Sequence, residues 1–127
     1  MAVTAWQTGY PMRVSLATGI PVYDPVRFDI AAMLARAEGD ALIWTAAIGA
    51  GLSPPATTIP TVVIGTPGLT LSRTPEVYIP VGTPGLDHDG DLVRTDSVVT
   101  LHLRSTRQSS MPSVATVARA LADRLAL

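Results

Sequence analysis

The 127-residue chain contains no cysteine. That excludes disulfides, thiolate zinc sites, iron–sulfur ligation through thiolates and cysteine nucleophiles. Lysine is absent too. All nine basic residues are arginine, which removes Schiff-base chemistry and a lysine general base. Only 15% of residues are charged and the formal net charge is −1, with no basic stripe of the kind a nucleic-acid partner requires. Long apolar runs are missing as well. The longest, ALIWTAAIGAGL at 41–52, is too short for a membrane span and is broken by glycine. The opening MAVTAWQTGYPMRV lacks a basic start followed by an apolar stretch, so it does not read as a signal peptide. A soluble, cytoplasmic protein is the expectation.

What is present is apolar. Hydrophobic residues make up 47% of the chain, enough for one modest core. A surface this poor in charge points to partners that cover part of it. Residues 1–23, with Gly9, Pro11, Gly19 and Pro21, predict an extended N-terminal arm anchored by Trp6, Tyr10 and Tyr23. Residues 24–127 are expected to form a single small α/β domain. In DPVRFDIAAMLARAEGD, Asp24 caps a helix, Pro25 suits its first turn and Gly39 stops it. Phe28, Ile30, Met33, Leu34 and Ala37 would form its apolar side. ALIWT (41–45) and TVVIG (61–65) read as strands buried on both faces, and EVYIPV (76–81) as a third strand.

Between the first two strands, 46–60 is a loop. Gly49-x-Gly51 there resembles the start of a dinucleotide loop, but Pro54 replaces the third glycine and Pro54–Pro55 block the helix that must follow. DLVRTDSVVTLHLR (91–104) ends in alternation, Val99, Leu101 and Leu103 opposite Thr100, His102 and Arg104, as in a half-exposed strand. The last element, SVATVARALADRLAL, is a helix with Val114, Val117, Leu121 and Leu125 on one face, capped by Ser110 or Ser113. The pentapeptide GTPGL occurs twice, seventeen residues apart, as a turn with proline at its second position and a positive-φ glycine at its third. The fold class is therefore α/β: a small, mainly parallel sheet with two helices and a C-terminal β-hairpin excursion.

The polar stretch GTPGLDHDGDLVRTD (82–96) holds the most chemistry. Asp87, Asp89 and Asp91 match the first three ligand positions of an EF-hand loop. However, Gly90 stands at the fourth position rather than the sixth, and the twelfth is Val98. An irregular, weak cation site stays open. His88 and His102 are fourteen residues apart and form no zinc motif. An aspartate dyad or Asp–His pair involving Asp87, His88, Asp89, Asp91 or Asp96 could serve acid–base chemistry only if one partner were desolvated. No G-x-S-x-G is present, and Ser109, Ser110 and Ser113 precede the last helix.

Two blocks resemble the B subunit of formylmethanofuran dehydrogenase. The first is WQTGYPMRVSLATGIPVYDPVRFD (6–29), with Thr8, Gly9, Tyr10 and Pro11, then Gly19, Pro21, Tyr23 and Pro25. The second is EVYIPVGTPGLDHDGDLVRTDSVV (76–99), with Ile79, Pro80, Gly85, Leu86, Asp87, Gly90, Arg94, Asp96 and Val98. Ser97 departs from the family's turn glycine. Family members are much longer and hold an iron–sulfur cluster and a metal–pterin, resembling the molybdopterin oxidoreductase fold. Without cysteine this chain carries no such cofactor site.

The resemblance implies a reduced, noncatalytic B subunit like that of the bacterial formyltransferase/hydrolase complex. That complex transfers formyl groups between tetrahydromethanopterin and a methanofuran-like carrier and releases formate. Its A, C and D subunits would be the partners, and no catalytic, cofactor-binding or metal residue is assigned here. Arg94 or Arg104 could face a polyglutamate-bearing cofactor. The residues alone also leave open a free-standing small binding domain or a metal-assisted hydrolase using the Asp87–Asp96 cluster. A fragment of a longer B subunit is a third reading; the leucine-rich helical end weighs mildly against truncation at the C-terminus, and Met1 is consistent with a natural start but proves nothing.

Overall fold

The structure, a computed structural model, describes residues 14–20, 22–49, 53–93 and 99–125. Its contacts divide the chain into two units. One comprises residues up to Asp40 with Val93–Thr100, and the other Ala41–Leu92 with Leu101–Leu127. The expected boundary after residue 23 lies inside the first unit. Trp6 and the Thr8–Pro11 block of the expected arm lie outside the described residues.

In the first unit, strands β1 (Val14–Ser15) and β2 (Val22–Tyr23) pair antiparallel, Val14 with Tyr23 and Ser15 with Val22. Gly19, at φ 77°, closes the turn between them by donating its N–H to the Leu16 carbonyl at 2.9 Å. Helix α1 follows as Ile30–Ala35, shorter than the sequence suggests. Asp24 does cap: its Oδ1 accepts from the N–H groups of Val26 (3.0 Å) and Arg27 (2.8 Å). The turn it caps stops at Phe28, and a second cap, Asp29, accepts from the Ala32 N–H at 3.3 Å to start the helix proper. Gly39 does not end it. Ala37 takes the left-handed position at φ 52°, with Ala37 N–H on the Leu34 carbonyl and Glu38 N–H on the Met33 carbonyl, both at 3.1 Å. That pair of bonds is a Schellman closure built on alanine. The Arg36 guanidinium grips Glu38 through Nε at 2.7 Å beside it.

The second unit is built on a parallel sheet of β3 (Leu42–Ala46), β4 (Thr61–Gly65) and β5 (Val77–Pro80), in that spatial order. Residues in register share a face. Trp44, Val63 and Tyr78 line one side, where the β4–β5 connection adds Leu69 and Leu71 over buried Ala46 and Val63. The neighbouring row, Ile43–Val62–Val77, lies on the other face. There Ile43 is 66% and Val77 47% exposed. β4, in the centre, is buried almost throughout, as its β-branched run predicts. β3 is not buried on both faces. It is an edge strand, so only Leu42 and Ala46 are buried.

Two further strands, β6 (Gly90–Val93) and β7 (Thr100–Leu103), form a separate pair, and helix α2 spans Val114–Leu125. Of the two candidate caps, Ser113 takes the role, its Oγ accepting from the Thr116 N–H at 3.1 Å. No described residue of α2 is buried, and Leu125 is 83% exposed. The fold class is the small α/β arrangement expected, with a three-stranded parallel sheet and two helices among the described residues. Among those residues no helix is long and apolar enough to cross a membrane.

Candidate functional site

The acidic loop leaves the sheet at Val81, whose N–H still donates to the Gly65 carbonyl at 3.0 Å. The chain then turns at Thr83-Pro84-Gly85, with Leu86 N–H on the Thr83 carbonyl at 3.1 Å and Gly85 at φ 79°. Proline presets the second turn position and glycine tolerates the third. The earlier GTPGL copy makes the same bond, Leu69 N–H to the Thr66 carbonyl at 3.0 Å. Its Gly68, however, does not take positive φ, which corrects the expectation for that copy.

The turn aims Asp87 inward. Its side chain is only 2% exposed and both oxygens are engaged. Oδ1 accepts from Arg107 Nε at 2.6 Å and Oδ2 from the Thr83 N–H at 2.8 Å. Arg107 and the Thr83 N–H bring the Asp87 pKa down to about 2. Gly82 makes room: a Cβ on it would stand 2.7 Å from the Asp87 Cβ.

The next two acids make more exposed contacts, each through one oxygen. Asp89 Oδ1 accepts from the Ser105 N–H at 2.7 Å, which lowers its pKa. Asp91 Oδ1 meets His102 Nδ1 at 3.0 Å, which raises the His102 pKa. In chain order, 87, 89 and 91 fasten 107, 105 and 102. Asp87 in the turn, Asp89 just after it and Asp91 in β6 thus each contact the returning segment. Backbone bonds add to these contacts: the N–H groups of Thr106 and Arg107 both donate to the Leu86 carbonyl, at 3.2 and 3.0 Å. His88 stands apart, with Nδ1 2.7 Å from the Asp89 carbonyl and Nε2 3.2 Å from that of Gly82. A cavity of about 530 Å³ lies between this loop and the start of α2, lined by Pro84, His88, Asp89, Met111, Pro112 and Val114 among others.

These contacts bear on the chemistries considered. A general acid or base needs a proton to exchange with substrate at working pH. Asp87 is locked as a carboxylate by a cation and an N–H, so it is a structural anion. The three aspartates turn to three different partners, and among the described residues no three of His, Cys, Asp or Glu converge as metal ligands. Arg94, Asp96, Ser97 and Val98 lie outside the described residues, so the Asp96 end of the cluster and the Arg94 reading do too. Arg104 is exposed. Of the Gly49-x-Gly51 segment only Gly49 is described, outside any helix or strand. Residues 53–60 after it form no helix, while 50–52 lie outside the described residues. Sequence reasoning missed Arg107 and Ser105, whose partners are twenty and sixteen positions away.

The molecule is thus a small mixed α/β protein whose acidic loop is bonded to the segment after β7 through Asp87–Arg107 and Asp89–Ser105. No protein-family model matches the chain. Over 92 residues, 71% of the chain, it is 35% identical to the Fhc B subunit of the formyltransferase/hydrolase complex of Methylorubrum extorquens. It also resembles a chain in the X-ray crystal structure of the formyltransferase/hydrolase complex (FhcABCD) from that organism in complex with methylofuran. The TM-score is 0.77 at 30% identity, over 98% of this chain. The chain is homologous to the Fhc B subunit, itself a component of an enzyme complex. It spans 25% of the curated relative and 35% of the chain in the solved structure.

Proposed function

We propose that the protein is a noncatalytic structural subunit, of the B type, in a formyltransferase/hydrolase complex of one-carbon metabolism. Its partners are the A, C and D subunits, and the transfer of formyl groups and release of formate belong to them. The observation that carries this reading is the joint match in sequence and structure to the Fhc complex, at 35% identity and a TM-score of 0.77. Two features of the molecule support it. The acids that looked most chemical are consumed in holding the loop. Both units also present large apolar side chains to solvent, Leu16, Ile20 and Val26 in the first and Ile43, Val77 and Leu125 in the second. Surfaces of that kind suit burial against other chains. The wider resemblance to the B subunit of formylmethanofuran dehydrogenase fits a relative whose sequence here carries no cysteine.

Co-expression with A, C and D subunits tests the assembly. The chain is expected to co-purify with them in a stoichiometric complex; a stable monomer that ignores all three would overturn the proposal. The noncatalytic role is tested in the same complex. Asp89→Asn and Asp91→Asn are expected to leave formyl transfer and formate release within about twofold of wild type, since neither acid does chemistry. A loss of about a hundredfold with assembly intact, or a stoichiometric bound cation lost in those variants, would favour a metal-assisted hydrolase instead.

A further inference from the structure

We draw no further inference here: the strongest candidate, the apolar row Ile43–Val62–Val77 on one face of the three-stranded sheet, carries nothing because nothing in the structure shows what covers it.

Discussion

Asp87 and Arg107, twenty positions apart, meet at 2.6 Å, the carboxylate 2% exposed and the guanidinium side chain 60% exposed. The buried partner is therefore the anion, and the Thr83 N–H satisfies its second oxygen. A buried carboxylate that loses its cation is left uncompensated, whereas an exposed guanidinium that loses its carboxylate returns to water.

This sets an acid-stability prediction. The Asp87 pKa is lowered from 3.8 to about 2, chiefly by the Arg107 bond and then by the Thr83 N–H. A depressed carboxylate contributes stability that is fully present above its unfolded pKa and is lost as pH falls through the folded value. The expected loss therefore begins near pH 4 and runs down towards about 2. In Asp87→Asn that part of the pH dependence disappears, and the thermal midpoint at about pH 7 falls by on the order of a few degrees. Thermal melts of wild type and variant from about pH 2 to 7 measure both. Superimposable pH slopes would show that Asp87 is not the group responsible.

The Asp91–His102 contact works with the opposite sign. The Asp91 carboxylate raises the His102 pKa above 6.5. A raised histidine contributes stability that is present below its unfolded pKa and fades as pH rises through the folded one. Both side chains are more than half exposed, so water screens the pair and its effect on stability is small. The better readout is the imidazole itself. In an NMR titration, the His102 ring is expected to titrate above 6.5 and to move down in Asp91→Asn; an unchanged midpoint would exclude the bond in solution.

The two GTPGL copies offer an internal control. Gly85 sits at φ 79°, and a Cβ there would stand 3.1 Å from the Leu103 Cβ. Gly68 has ordinary φ and nothing within 4 Å of a Cβ. Gly85→Ala should destabilise by about 1–2 kcal/mol, and Gly68→Ala by less than about 0.5 kcal/mol. Chemical denaturation of both variants checks this, and equal effects would mean that the turns are conformationally alike.

The same pentapeptide marks where sequence reading stops. A turn signal names the residues of the turn but not the glycine's φ, which is positive at Gly85 and not at Gly68; a Cβ would meet Leu103 at the first and open space at the second. Strands behave similarly. ALIWT and TVVIG are both apolar runs, and both were legible as strands by composition. Only the sheet order separates them, and it makes one an edge and the other the centre. The site was the least legible part. Ligand counting along the loop leaves the aspartates without a metal motif, but their partners come from a segment 11 to 20 residues further on, with no local pattern to announce them. The early end of α1 was hidden for a different reason: Gly39 is the obvious stop, yet Ala37 already holds the left-handed position.

That alanine yields the last prediction. A β-carbon in the left-handed region costs free energy that glycine does not incur, and the Schellman bonds at Ala37 and Glu38 hold the backbone there. Glycine also gains entropy in the unfolded chain, which offsets part of the benefit. Ala37→Gly is therefore expected to stabilise the first unit by up to about 1 kcal/mol, while the β-branched Ala37→Val, stiffer still at positive φ, destabilises it by about 1 kcal/mol or more. Native-state hydrogen exchange of the Met33–Glu38 amides separates the two, with slower exchange in the glycine variant and faster exchange in the valine one. If glycine instead speeds exchange, the helix does not end on a left-handed residue 37, and Gly39 returns as the natural stop.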